Sequence, residues 1–205
     1  MSNKKQRQYH HGDLYVALLE AATEMIAKEG LESLTLRALS QRVGVSRTAP
    51  YRHFADKSAL LAAVAEEGFK RLLHRLQVVA EEEELDALSR FQQMGVAYIL
   101  FAVDSPVHYR LMFSSETASP ESYPDLAAVR IVVFNTLVTA IEQCQSEDKI
   151  ESSDPRALAT VAWSTVHGLS SLLIDQQIQN QPSTQEIATF TTQTLIDGLS
   201  LNPQR

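Results

Sequence analysis

Apolar residues recur at helical spacing along most of this 205-residue chain, and no segment shows the strict alternation of a half-buried strand. The first long segment carries one apolar stripe at i, i+4, i+7 and i+11, formed by Leu14, Leu18, Ala21 and Met25. Asp13 can cap this helix and Gly30 can end it. The pattern predicts an amphipathic helix from about residue 13 to residue 29.

A second, shorter helix is predicted directly after the first. Leu36, Leu39 and Val43 fall at i, i+3 and i+7, which places them on one buried face. Thr35 is a suitable N-cap because its hydroxyl can accept a backbone N–H of the first turn. Gly44 is a suitable C-terminal stop because glycine adopts the left-handed conformation without steric cost. This helix is expected to end in a Gly-Val-Ser turn.

A third helix is predicted to begin at that turn, with Ser46 as N-cap and the apolar Val45 and Phe54 as anchors at its two ends. Two short helices joined by such a turn present a helix N-terminus to the major groove of DNA. Pro50 lacks an N–H and removes one helical hydrogen bond. Either the first turn is distorted or the cap lies one residue later, so the side chain that reaches a base edge is left open.

The remainder of the chain is predicted to be helical as well. Its helix starts are marked by prolines and caps, namely Ser105 with Pro106, the loop around Pro120 and Pro124, Asp154 with Pro155, and a capping box of Ser183 and Glu186. About nine helices result, which predicts an all-α chain. We expect an N-terminal three-helix unit over residues 1–57 and a C-terminal helical bundle over residues 58–205, joined by a continuous helix that begins near Ser58.

Charge is distributed unevenly between these two parts. Residues 1–57 hold nine Lys and Arg against six Asp and Glu, a net charge of +3; residues 58–205 hold nine against nineteen, a net charge of −10. A phosphate backbone attracts a basic surface, so the N-terminal part is the candidate for DNA binding. The arm that carries Lys4, Lys5 and Arg7 is expected to be disordered in free solution and able to enter the minor groove.

Signatures of enzymes and metal sites are missing from the sequence. It contains no G-x-S-x-G, no Gly-rich phosphate loop, no H-E-x-x-H and no Cys-His cluster of ligand spacing. His10 and His11 have no further ligands at metal spacing and are interpreted as polar residues of the arm. We therefore expect no catalytic residue, no metal and no cofactor.

The single cysteine excludes an intrachain disulfide. The chain has neither a secretory segment nor an uninterrupted apolar run of about 18 residues, so the cytoplasm is the expected compartment and no membrane partner is expected. Cys144 is interpreted as a packed apolar residue rather than a redox sensor, because nothing nearby in sequence is placed to lower its pKa.

The run VGVSRTAPYRHFADKSALLAAV resembles the DNA-binding segment of the TetR/AcrR family of transcriptional regulators. The residues that carry the resemblance are Gly44, Val45, Ser46, Tyr51, His53, Phe54 and Lys57. Several independent positions match over about 25 residues, which is more specific than a bare helix-turn-helix pattern. Toward the C-terminus, AWSTVHGL resembles the Trp-His-Gly signature of one subgroup's regulatory domain, through Trp163, His167 and Gly168.

The resemblance implies which side chains meet double-stranded DNA. Tyr51, His53 and Lys57 match positions that touch phosphates, and each offers a donor to a phosphate oxygen. In the first turn of the recognition helix an arginine can fork onto guanine, and small methyl groups can meet a thymine methyl. The expected DNA contacts are Thr35, Arg37, Arg47, Thr48, Ala49, Tyr51, Arg52, His53 and Lys57. For Arg42 and Arg52 a solvated charge is the alternative, and Phe54 is assigned to the core.

For the C-terminal bundle the resemblance implies a small-molecule site. Aromatic walls with a few polar tips form an apolar pocket with orienting groups. The candidates are Tyr98, Phe101, His108, Met112, Phe113, Phe134, Trp163 and His167. Filling the core is the alternative role for each of them.

The resemblance also implies a homodimer that pairs the last two helices of each subunit. The candidate contacts are Val166, Leu169, Leu172, Leu173, Phe190, Thr194 and Leu195. We interpret the chain as a ligand-responsive transcriptional repressor that binds a palindromic operator as a homodimer and is released by an unidentified small molecule. The alternative is a helical small-molecule carrier or interaction protein with a vestigial DNA-binding unit.

Overall fold

The computed structural model describes residues 11–115, 122–178 and 183–199. In these ranges the chain forms eight α-helices: α1 His11–Glu29, α2 Leu36–Val43, α3 Lys57–Ala80, α4 Ala87–Asp104, α5 Pro106–Met112, α6 Pro124–Ser146, α7 Pro155–Ile174 and α8 Thr184–Leu199. Two 3₁₀ helices, Leu31–Ser33 and Pro50–Arg52, lie in the N-terminal part. The all-α fold class is confirmed. The basic arm, including His10, and Pro120 lie outside the described residues.

The ends of α1 and α2 follow the local signals in the sequence. The Thr35 hydroxyl accepts a hydrogen bond from the N–H of Ala38 at 3.0 Å, as expected of an N-cap. Gly30 and Gly44 have φ angles of 83° and 77°, which a residue with a Cβ adopts only under strain. The start of α1 differs, because the helix begins at His11 and contains Asp13 in its first turn.

The expected recognition helix beginning at Ser46 is not an α-helix. Residues 46–49 form a turn, closed by the N–H of Ala49 on the carbonyl of Ser46 at 3.0 Å, and Pro50–Arg52 form a 3₁₀ helix. The physical reason is Pro50, because it has no N–H for the i→i−4 bond that the Ser46 carbonyl would accept in an α-helix. Of the two alternatives left open by the sequence, the distorted first turn is the one observed.

Helix α3 connects the N-terminal unit to the rest of the protein. The Asp56 carboxylate caps it by accepting the N–H of Ala59 at 2.8 Å, and the helix then runs without interruption to Ala80. It packs against α1 at one end and against α4, α5 and α6 along most of its length. Leu60, Val64 and Leu72 are fully buried. The bundle is therefore built around the helix that leaves the DNA-binding candidate.

The predicted caps of the last two helices are confirmed. The Asp154 carboxylate accepts the N–H of Arg156 at 2.9 Å. Ser183 and Glu186 form the reciprocal capping box. The Ser183 hydroxyl and, second, its backbone N–H donate to the Glu186 carboxylate, which lowers the pKa of this exposed group. Ser105 is the N-cap of α5 and Pro106 is its first residue, as expected, although the Ser105 side chain makes no capping hydrogen bond.

Two helices, α6 and α7, are long and apolar enough to cross a membrane by length and composition alone. Core helices of soluble proteins share this property. Cys144 on α6 is completely buried, and burial raises its pKa to about 11. A protonated, inaccessible thiol agrees with the prediction of a packed apolar residue.

Candidate DNA-binding surface and internal cavity

Six of the nine expected DNA contacts are exposed on the N-terminal unit. They are Thr35, Arg37, Arg47, Thr48, Tyr51 and Arg52. The Tyr51 side chain is 57% exposed, which is unusual for a large aromatic residue and leaves its hydroxyl available to a partner. Arg42, by contrast, forms an ion pair with Glu29 that ties α2 to α1.

The exposure expected for Ala49 was wrong. Ala49 is 9% exposed, and the neighbouring Pro50 is buried as well. Both residues pack inward because the turn and 3₁₀ helix replace the regular helix on which Ala49 would have faced outward. Ser46, Arg47 and Thr48 are the exposed residues at the start of this segment, and Thr48 Oγ1 lies 3.3 Å from the Ser46 hydroxyl.

His53 and Lys57 are engaged within the protein. The His53 ring packs against Tyr15 and Phe54, with ring centroids 5.9 and 6.2 Å away, and its Nε2 is buried without a hydrogen-bond partner. The Lys57 ammonium donates to the carbonyl of Leu31 at 2.8 Å. In this conformation His53 Nε2 is closed to a phosphate, and Lys57 fastens the loop before α2 to the start of α3.

An internal cavity of about 640 Å³ lies in the helical bundle. Its apolar walls come from five helices and include Phe69, Leu72 and Leu76 of α3, Phe91, Met94 and Tyr98 of α4, Leu126, Phe134 and Leu137 of α6, Ala162, Trp163 and Val166 of α7, and Leu195 and Ile196 of α8. The volume falls within the range of about 300–1,000 Å³ that small-ligand sites occupy.

Four of the eight ligand candidates line this cavity: Tyr98, Phe113, Phe134 and Trp163. The other four do not. Phe101 is 1% exposed and belongs to the core, and His167 lines a smaller neighbouring pocket. His108 and Met112 pack between α5 and α3, where a Cβ on Gly68 would lie 2.8 Å from Met112 Sδ. Helical spacing places all eight on buried faces, but it does not show which faces enclose a void.

A hydrogen-bonded cluster of four side chains connects the cavity wall, through Tyr98 and Trp163, to the smaller neighbouring pocket, through Tyr109 and His167. Trp163 Nε1 donates to the Tyr98 hydroxyl at 3.1 Å, and this hydroxyl lies 3.2 Å from that of Tyr109. His167 Nδ1 is 3.1 Å from the Tyr98 hydroxyl and 2.6 Å from the Tyr109 hydroxyl. Sequence reasoning missed Tyr109, although its four-residue spacing to Phe113 was a usable signal.

Burial keeps this cluster neutral. Desolvation raises the pKa of Tyr98 well above 10.0 and also raises the pKa of Tyr109. It lowers the pKa of His167 below 6.5, because a buried imidazolium loses its hydration. The same effect, followed by the charge of Arg71, lowers the pKa of His108. Near neutral pH all four side chains of the cluster are therefore uncharged.

Acidification is expected to destabilise the protein through His167. Because burial depresses its folded-state pKa, the unfolded chain binds a proton more readily than the folded chain. The free energy of unfolding should decrease as the pH falls from about 6.5 toward the folded pKa. His167→Gln, which does not titrate, should remove part of this decrease in urea unfolding at about pH 7.5 and about pH 5.5. An equal loss in both proteins would contradict the assignment.

Among the described residues, no group of three or more His, Cys, Asp or Glu side chains is placed to hold a metal ion. The described part of the protein therefore has two candidate functional features. One is a surface of arginines, hydroxyls and a phenol on the N-terminal unit; the other is an apolar cavity with an internally bonded polar wall.

Two sequence models of a single protein family match this chain. Residues 18–64 match "Bacterial regulatory proteins, tetR family", and residues 91–195, about half of the chain, match "Tetracyclin repressor-like, C-terminal domain". The chain belongs to the TetR family of transcriptional regulators. The family predicted from the Gly-Val-Ser and Tyr-x-His-Phe residues is thereby confirmed. Membership of the Trp-His-Gly subgroup and the division at residues 57 and 58 stay predictions.

Solved structures and curated relatives agree with this TetR assignment. A protein of unknown function from Rhodococcus sp. RHA1 is 32% identical, with 96% of this chain and 100% of that chain covered and a TM-score of 0.85. A regulatory protein of the tetR family from Rhodococcus RHA1 has the same fold at 21% identity, covering 92% and 97%, with a TM-score of 0.75. The uncharacterized HTH-type transcriptional regulator YobS of Bacillus subtilis is 24% identical, over 90% of this chain and 92% of YobS.

This TetR-family chain is accordingly a DNA-binding transcriptional regulator. The N-terminal match spans α2, the turn at residues 46–49 and the 3₁₀ helix, which are the elements that carry the exposed arginines. The second match spans most of α4 and continues into α8, where the cavity lies.

Proposed function

We propose that this TetR-family regulator is a ligand-responsive repressor that binds a palindromic operator as a homodimer and releases it when a small molecule occupies the cavity. The supporting observation is the position of α3. The N-terminal end of α3 is fastened to the DNA-binding unit through Lys57 and Leu31, and its Phe69, Leu72 and Leu76 line the cavity. One rigid helix therefore touches both sites.

The proposed release is a population shift. A ligand changes the balance between two arrangements only if it binds one of them more tightly. Helices α3 and α5 are closely packed at Gly68, which leaves little room for local shifts of their side chains. A ligand that moves α3 must therefore move it as a rigid body. Such a movement would reposition the two recognition segments, residues 46–52 of each subunit, relative to the operator.

The proposed dimer interface is the apolar outer face of α7 and α8. Phe190 is 69% exposed, Val161 53% and Leu172 46%, although all three are large apolar side chains. Val161 was not among the contacts expected from the sequence; of those that were, Leu169, Leu173 and Leu195 are half-buried, and Thr194 is exposed. Val166 is 6% exposed and lines the cavity, so it is removed from the set.

Dimerisation supplies sequence specificity. One recognition segment contacts only a few base pairs, and a twofold axis places two of them about 34–36 Å apart on successive major-groove faces. We propose that Arg47 and Thr48 contact bases, and that Tyr51, Arg37, Thr35 and Arg52 contact phosphates. A protein that acts on DNA in this way works in the cytoplasm, which is the compartment we propose.

Arg47→Ala is expected to differ from Tyr51→Phe in its effect on DNA binding. Loss of an arginine fork on guanine should weaken the preferred sequence by about 10- to 100-fold and relax the preference at one position in each half-site. Loss of one phosphate hydrogen bond should weaken all sequences by about fivefold. Operators selected from a random duplex pool, followed by fluorescence anisotropy with matched and mismatched duplexes, measure both effects.

The same selection separates the regulator from a helical carrier. A palindromic motif whose affinity falls steeply with added salt supports the proposal. Recovery of no enriched motif at low salt would favour the carrier. Native mass spectrometry of gently purified protein adds the subunit number and any retained small molecule; a bare monomer at micromolar concentration would contradict the homodimer.

A further inference from the structure

The charged residues that line the cavity are all of one sign. Among the described lining residues, Arg130 of α6 and Arg156 of α7 are cationic, and none is an aspartate or glutamate. Both arginines are exposed, so they lie where the cavity reaches the protein surface. This is notable because residues 58–205 carry a net charge of −10. The mouth of the cavity is cationic within an acidic part of the chain.

Arg156 is held at this mouth by neighbours that leave most of its donors free. Its guanidinium carbon lies 5.2 Å from the centroid of Phe134, and one guanidinium nitrogen donates to Asn135 Oδ1 at 3.3 Å. A guanidinium offers five N–H donors, of which this bond uses one. The nearby Asp154 carboxylate accepts the backbone N–H of Arg156 as the cap of α7. Among the described residues neither Arg156 nor Arg130 has a carboxylate partner within ion-pair distance.

The interior of the cavity, in contrast to its mouth, is suited to an uncharged, apolar group. Its walls are mostly aliphatic and aromatic. The polar atom of Trp163 donates to the Tyr98 hydroxyl, and this hydroxyl also bonds to His167 Nδ1. Internally bonded donors and acceptors need no partner from a ligand, so the interior favours an apolar body. A charged group buried there would lose its hydration without compensation.

We propose that the effector is an amphipathic organic anion, whose apolar part fills the interior while its anionic group binds Arg130 and Arg156 at the mouth. This inference rests on the proposed function, because it names the chemical class of the ligand that enters the same cavity. Arginine suits this role because its planar fork matches a carboxylate with two parallel hydrogen bonds.

The chain provides its own reporter for a test. Trp163 is its single tryptophan and lines the cavity, so its fluorescence emission responds to an occupant. The probes are decanoate and 1-decanol, which share a ten-carbon chain and differ in charge. We expect decanoate to bind about tenfold more tightly, the scale of one charge-assisted interaction. Arg130→Gln and Arg156→Gln should each reduce the affinity for decanoate and leave that for 1-decanol nearly unchanged.

Two further variants sharpen the comparison. Arg156→Lys keeps the positive charge and should retain part of the preference for decanoate. Arg71→Gln is the matched control, because Arg71 is exposed, pairs with Glu67 and does not line the cavity. Equal affinity for the two probes, tighter binding of 1-decanol, or no response of Trp163 to decanoate would overturn the proposal.

Release of DNA is measured separately, with a labelled operator from the selection. Decanoate that binds in an arginine-dependent way without releasing DNA supports the anionic site and contradicts ligand-driven release. Equal release by the two probes at equal concentration supports ligand-driven release and overturns the preference for an anion.

Discussion

Phe190→Glu is expected to convert the regulator into a monomer and to remove specific DNA binding. Among the described residues Phe190 is the most exposed of the large apolar side chains, at 69%, and it lies on α8, which packs against α7, the helix of the exposed Leu172. Aromatic anchors at the centre of an interface carry much of its binding free energy. A glutamate there would lose its hydration on association, and the twofold symmetry would bury a second glutamate in the same interface.

The effect on DNA should be large because half of the recognition surface is lost with the partner. We expect specific affinity to fall by about a thousandfold, toward the level of non-specific binding. Val78→Glu is the matched control, since Val78 is 57% exposed on α3, which packs mainly against α4, α5 and α6. Analytical ultracentrifugation and anisotropy with the selected operator measure the two effects. A Phe190→Glu protein that remains a dimer and binds normally would rule out this face.

Phe101→Ala is expected to destabilise the protein by about 3–5 kcal/mol, the range for removing a fully buried phenyl ring. Phe101 is 1% exposed, with the Arg75 guanidinium carbon 5.6 Å from its ring centroid. Truncation opens a void that the close-packed neighbours of α4 cannot fill. The affinity of the remaining folded protein for a cavity ligand should change little, because Phe101 does not line the cavity.

Phe134→Ala is the informative contrast. Phe134 is half-buried and already borders empty space, so its removal should cost about half as much stability or less. Ligand affinity should change more than in Phe101→Ala, because the variant removes a wall and the ring beneath Arg156. Urea unfolding measures the loss of stability, and Trp163 fluorescence measures the ligand affinity. All variants are unfolded at one protein concentration, because the stability of a dimer depends on concentration. The reverse order of stabilities would contradict the division between core and cavity.

Local signals in the sequence predicted the helix ends well. Caps at Thr35, Asp154 and Ser183 form bonds to residues two or three positions away, so the interaction is complete within the segment that shows it. The left-handed Gly44 is equally local. The sequence showed that Pro50 conflicts with a regular α-helix. Only the structure showed the result, in which a turn and a 3₁₀ helix replace that helix and Ala49 is buried.

By itself the sequence determined the all-α class, most helix boundaries, the family and the basic N-terminal unit, because these depend on short-range periodicity, capping and charge. Tertiary structure decided which apolar residues enclose a cavity and which fill the core, as the contrast between Phe113 and Phe101 shows. It also brought Tyr109 to His167 and placed both Arg130 and Arg156 among the lining residues of one cavity. These relations join residues far apart in the chain, and helical spacing specifies the buried face of each helix without specifying its neighbour.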